Sequence, residues 1–227
     1  MWIDMHCHTK HSYDNWLEPL DLIRRAKALG LDGVCITEHY SYMASEPVEA
    51  IARDEGFLLL RGVEISTDHG HLLAYGMQDD SWNTWSQNNY LPLRDVIERI
   101  NGLGGICVPA HPYRATGLGS MLDAMVDAQG FAGVETHNGG NAAADNERAM
   151  QAAARRQLPT LGGSDCHKVS QVGRCATKFD DPVRDMAGLI DAVRRGRCRG
   201  AYFKAEAKAG SNSMDSRGDG DGFGSHV

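Results

Sequence analysis

No run of about 18 or more apolar residues occurs in this chain, and its N-terminus lacks a basic start leading into an apolar segment. The first absence argues against a membrane-spanning helix and the second against a secretory leader. We therefore expect a soluble, cytoplasmic protein with no membrane partner. Basic runs are missing too. With a formal charge of -7, the chain has no broad electrostatic grip on a polynucleotide, so no stable nucleic-acid complex is expected. Paired cysteine motifs are absent: the six cysteines are scattered singly with no CxxC, which suits reduced thiols rather than a disulfide framework. Cys7, Cys35, Cys107 and Cys166 sit in apolar stretches and are expected to pack.

What the chain does contain is enough apolar material for one core. At 227 residues and 42% hydrophobic content, it fits a single barrel-sized domain. We place that domain over residues 1–207, followed by a Gly/Ser/Asp-rich tail over 208–227 that is expected to be disordered. Short apolar runs read as strands: WIDMHCH, GVCITEH, LLLRGVEIS, HLLAYG, GICVPAH, AGVETHN and LPTLGGSDCH. Between them, Glu18 to Leu29, Leu93 to Leu103 and Asn141 to Arg156 carry helical periodicity, and Pro19 and Pro92 suit helix starts. This alternation predicts an α/β fold with a largely parallel sheet. One hairpin interrupts it, between Glu64 and Gly76, turning at TDHG.

The strand ends share a chemistry. The first ends in His6 and His8, two residues apart and so on one face, with Cys7 turned away. Others end in His39, Glu64, His111 and the pair Asp165 and His167, which repeats the i, i+2 spacing around Cys166. Each alone has an ordinary explanation as a core histidine, a solvated strand end or an Asx turn. Together they predict a metal site, because the C-terminal ends of barrel strands converge on one face. Imidazole and carboxylate donors without thiolates suit zinc, manganese or ferrous iron. The donors outnumber what one ion needs, so a cluster is expected, with Glu64 bridging two ions.

The segments DMHCHTKHSYD, GLDGVCITEH, RGVEIS, GHLLAYG, VPAHPYR, GVETHNG and LGGSDCHKVSQVGR, in that order, resemble the polymerase-and-histidinol-phosphatase (PHP) family of metal-dependent phosphoesterases. The resemblance implies a distorted seven-stranded β/α barrel of the TIM-like kind. It implies two or three divalent ions (Mn, Zn or Fe). His6, His8, Glu64 and Asp165 are implied for the first ion, Glu64, His71 and His111 for the second, and Asp14, His39 and His167 for the third. Strand alternation does not separate His71 from His69; the resemblance implies His71, from the family position in GHLLAYG, and Asp14 over His11, from the family's spacing after the first pair. His137 is not expected to be a ligand.

The implied activity is hydrolysis of a phosphate ester by a metal-activated hydroxide, with Asp165 orienting the nucleophile. Arg114 and Arg174 are candidate phosphate clamps, whereas Lys168 reads as a surface cation. Asn138 either lines the pocket or shapes a turn. The expected substrate is a small phosphorylated metabolite, a nucleotide or a short oligonucleotide. The alternatives are an amidohydrolase-like reaction at carbon and a non-catalytic metal-binding regulatory module.

Overall fold

The computed structural model describes residues 1–115, 119–122 and 124–204. The expectation for the 208–227 tail lies outside the described residues. In chain order the elements are β1 (Trp2–Cys7), α1 (Pro19–Leu29), β2 (Gly33–Ile36), α2 (Glu46–Asp54), β3 (Leu58–Thr67), β4 (Gly70–Tyr75), α3 (Leu93–Gly102), β5 (Ile106–Pro109), α4 (Ala124–Asp127), β6 (Val134–Asn138), α5 (Ala143–Arg156), β7 (Thr160–Gly163), β8 (Cys175–Phe179), α6 (Met186–Arg194) and β9 (Cys198–Tyr202). Among the described residues no helix is long and apolar enough to cross a membrane. All six cysteines are free and buried.

Seven strands form a curled sheet in the order β5-β4-β3-β2-β1-β8-β9, and β6 and β7 pair separately. This second pair spans the open side. Ala132 N–H donates to the Cys107 carbonyl at 3.0 Å, and Asp165 N–H to the His6 carbonyl at 2.7 Å, so β6 is tied toward β5 and β7 toward β1. The result is the distorted β/α barrel expected from the resemblance. It is less parallel than the alternation predicts. β1–β2, β2–β3 and β6–β7 are parallel, whereas β3–β4, β4–β5, β1–β8 and β8–β9 are antiparallel. For β3–β4 the cause is local: the turn at 67–70 is too short for a crossover helix, so β4 folds straight back on β3.

The strands are sandwiched between two kinds of apolar packing. Ile3, Met5, Leu73, Tyr75, Val108 and Leu161 fill one buried cluster inside the barrel. Outside it, Leu22, Ile23 and Ala26 of α1 cover Val34 and Ile36, while Val96, Ile97 and Ile100 of α3 cover Ile65 and Leu72. Such close-packed burial, at about 1.5–3 kcal/mol per large side chain, fixes the strands from both faces.

Two β-bulges decide what points into the mouth. On β1, Asp4 pairs with Val34 but Cys7 pairs with Ile36, so one extra residue lies between them. The bulge rephases the alternation: Ile3 and Met5 join the barrel interior, and so do His6 and His8, while Cys7 packs outside with Ile36. On β6 a second irregularity lies between Glu135 and His137. It brings Glu135 and Asn138 to the same interior network and leaves His137 against the Tyr202 ring.

Candidate metal centre

Glu64 sits in the second half of β3, three residues before its end, 1% exposed, and its two oxygens meet five imidazoles. Oε2 lies 3.4 Å from His6 Nε2, 3.1 Å from His8 Nε2 and 3.3 Å from His39 Nδ1. Oε1 lies 2.9 Å from His71 Nδ1 and 3.0 Å from His111 Nε2. On the first side the group is completed by Asp165, whose Oδ1 is 3.5 Å from His6 Nε2 and 3.4 Å from His8 Nε2. A third group adjoins it: Asp14 Oδ2 stands 3.2 Å from His39 Nε2 and 3.5 Å from His167 Nε2. The His8 ring lies 4.6 Å from that of His39 and 4.9 Å from that of His167, so His8 faces both groups.

These donors fit divalent ions. His6 Nε2 and His8 Nε2 point at one another 3.0 Å apart, and lone pairs so arranged repel unless a cation or proton lies between them. Donors bound to one ion at about 2.1 Å are themselves separated by roughly 3.0 to 3.4 Å, the spacing found around Glu64. The buried Nδ1 of His39, which faces Glu64 Oε2, has no hydrogen-bond partner among the described residues. Three groups of side chains, His6/His8/Glu64, Glu64/His71/His111 and His8/His39/His167, bring ligand atoms close enough to hold an ion.

The electrostatics agree. Burial alone lowers a histidine's pKa, yet the Asp165, Glu135 and Glu64 carboxylates hold His6 well above its ordinary value. His8 behaves alike: burial opposes its charge, but hydrogen bonds to Asp165 and Glu64 raise it to about 10. Burial would raise Glu64 and Asp165; the adjacent histidines overrule it and hold both well below the usual carboxylate range. The pocket favours positive charge at its centre.

The folding reasons are specific. Gly163 of β7 presses against β1, where a Cβ would lie 2.3 Å from His6 Cβ. Two cluster residues, His111 (φ 31°) and Asp165 (φ 51°), hold left-handed backbone conformations unusual outside glycine. Asp4, buried beneath them, accepts from Ser164 N–H at 2.7 Å and Gly173 N–H at 3.1 Å, pinning the loop that carries Asp165 and His167.

All nine anticipated ligands, His6, His8, Asp14, His39, Glu64, His71, His111, Asp165 and His167, thus stand in one network. His69 lies exposed in the β3–β4 turn, and His11 takes no part in the contacts around Glu64. Arg114 donates to Asp165 Oδ2, to Asn138 Oδ1 at 2.9 Å and through Nε to Asn141 Oδ1 at 2.8 Å. Arg174 is exposed, its Cβ beside Gly139, and Lys168 is exposed as well. Asn138 does both things considered for it: its amide bonds Asp165 Oδ2 at 3.3 Å and its oxygen accepts the Gly140 N–H at 2.8 Å.

Besides Asp4, sequence reasoning missed two buried carboxylates that touch this network. Glu38 accepts from the Thr9 N–H at 3.1 Å and from the Thr9 and Ser12 hydroxyls, and Ser12 Oγ lies 3.3 Å from His8 Nδ1. Glu135 Oε1 lies 2.9 Å from His6 Nδ1. A signal existed for the second, since GVET at 133–136 echoes GVEI at 62–65. A groove of about 1070 Å³ between α3 and the segment around Met121 is lined by His69 but by none of the nine anticipated ligands.

Comparison with known proteins follows the same residues. The family described as PHP domain matches residues 4–106, and the one described as PHP-associated matches residues 143–198. Over 72 residues the chain is 40% identical to a Thermotoga maritima protein named "Probable histidinol-phosphatase", covering 29% of this chain and 31% of that one. Over 65 residues it is 37% identical to a 5'-3' exoribonuclease of Haemophilus influenzae, covering 29% of this chain and 23% of the other. The matched segments span less than a third of either curated relative. A solved two-domain protein of Bacteroides vulgatus, containing a predicted PHP-like metal-dependent phosphoesterase, shares the fold with a TM-score of 0.71. It is 22% identical and covers 89% of this chain and 64% of that one. With its histidines and carboxylates gathered around Glu64 and the two family matches together covering most of its length, the chain belongs to the PHP family.

Proposed function

We propose that this protein is a metal-dependent phosphoesterase acting on a small phosphorylated metabolite, a nucleotide or a short oligonucleotide in the cytoplasm. The observation that carries the reading is Glu64, one buried carboxylate with histidines on each of its two oxygens. His6, His8, Glu64 and Asp165 would hold one ion, Glu64, His71 and His111 a second, and Asp14, His39 and His167 a third. When bound, manganese, zinc or ferrous ions supply Lewis acidity and hydroxide at neutral pH.

The chain's own residues then have separate tasks. Asp165 stays ionised because His6 and His8 stabilise its charge, which suits it to orient a water through hydrogen bonding. Arg114 and Asn138 hold its other oxygen, so the carboxylate keeps one rotamer. Arg114 also brings a permanent positive charge to the place where phosphoryl oxygens must sit, and exposed Arg174 offers a further cation at the rim. The experiment is turnover of an aryl phosphate beside the matching aryl ester and aryl amide, with each metal in turn. Phosphate release that chelation removes is expected. Faster ester or amide cleavage transfers the reading to carbon, and no turnover across the metals and substrates leaves a binding module.

A further inference from the structure

We propose that Glu135 is the positioning residue that couples the two ion sites on either side of Glu64, an inference that rests on reading those residues as ligands. Glu135 lies on β6, is 1% exposed and faces the barrel interior. Its Oε1 accepts from His6 Nδ1 at 2.9 Å. That bond places the ring proton on Nδ1, so Nε2 presents its lone pair to the first site. Its Oε2 accepts the backbone N–H of His111 at 2.6 Å. His111 has a φ of 31°, and a charge-assisted bond to its N–H holds that strained backbone in place. The same bond therefore fixes where the His111 ring meets Glu64 Oε1, 3.0 Å away.

A third donor extends the link. Asn138 Nδ2 donates to Glu135 Oε2 at 3.0 Å, and it lies 3.3 Å from Asp165 Oδ2. One carboxylate thus orients His6 and, through Asn138, Asp165 of the first site, and His111 of the second. Packing alone does not call for it. Neighbouring interior positions are filled by Leu161 and Val108, and burying a carboxylate costs far more than burying an aliphatic chain.

The substitution Glu135→Gln breaks the shared anchor, because an amide offers one uncharged acceptor oxygen and one NH2, so in either orientation one of the two donors meets an N–H and the other loses its charged acceptor. The full chain is titrated with Mn²⁺ alone by calorimetry, and the His6 ring nitrogens are followed by ¹⁵N NMR in the Zn²⁺-loaded protein. Wild type is expected to bind at least two ions with His6 protonated at Nδ1. Glu135→Gln is expected to weaken both ions by about 10- to 100-fold and to mix the His6 tautomers. Should that variant fail to fold, Glu135→Asp carries the same test, since it keeps the charge but is too short to span both partners.

Wild type binding no ion overturns the ligand reading itself. Wild type binding ions while either folded variant matches its affinities and tautomer overturns the role of Glu135 alone. Weakening of the first ion with the second untouched reduces Glu135 to an orienter of His6 and overturns the coupling.

Discussion

A carboxylate surrounded by five imidazoles, as Glu64 is, has no comparable partner to replace it if it is removed. Glu64→Ala and His6→Ala are each expected to bring metal-dependent phosphate release to background, measured beside melting curves that show the variants folded. The two arginines should separate kinetically. Arg114→Ala, which frees Asp165, is expected to lower kcat by about 10- to 100-fold. Arg174→Ala, at an exposed position, is expected to raise KM with kcat nearly kept. Equal effects on both parameters from both variants contradict these roles.

The same residues set a pH dependence. His8 is raised from 6.5 to about 10 in the fold, so its contribution to stability is complete below 6.5 and is lost as pH rises toward 10. Glu64 and Asp165 are lowered, so theirs is present above their ordinary values and is lost on acidification. Chelated protein is therefore expected to melt at falling temperatures between pH 6.5 and 9. Divalent ions compete with the histidine protons, so the rise in Tm on adding Zn²⁺ should grow over that window. A metal-induced shift independent of pH contradicts the assignment.

At the scale of elements, close contact between β7 and β1 places Asp165 over His6. Gly163→Ala, which puts a methyl 2.3 Å from His6 Cβ, is expected to cost about 1–3 kcal/mol and to weaken metal binding. The contrasting site is Gly102 at the end of α3, where nothing lies within 4 Å of an added Cβ; alanine there is expected to be neutral or stabilising by about 0.5–1 kcal/mol. Denaturant melts with metal titrations check both.

Ligand-bearing strand ends were legible because apolar runs finishing in His, Asp or Glu are visible in the chain, and the hairpin because TDHG suits a tight turn. His71 and His69 were not separable by alternation, since the turn that carries His69 away from the barrel mouth is a matter of where pairing stops. The bulges on β1 and β6 leave no mark in a hydrophobic pattern, so the only sign of Glu135's interior placement was the echo of GVEI in GVET. β8 and β9 were also missed: CATKF and CRGAY are short and interrupted by charge, and they become strands by pairing with each other and with β1.

For the whole molecule, a curled sheet gathers eight side chains spread from His6 to His167 around a ninth, the Glu64 carboxylate. Such convergence stores repulsion among lone pairs and like charges that bound cations relieve, and for that reason metal should act on global stability as well as on turnover. The most direct test is anomalous diffraction from crystals grown with Mn²⁺. The account predicts a peak on each side of Glu64, one against Oε2 with His6, His8 and Asp165 and one against Oε1 with His71 and His111. Full-occupancy manganese elsewhere in the molecule, with no peak at either oxygen of Glu64, contradicts it.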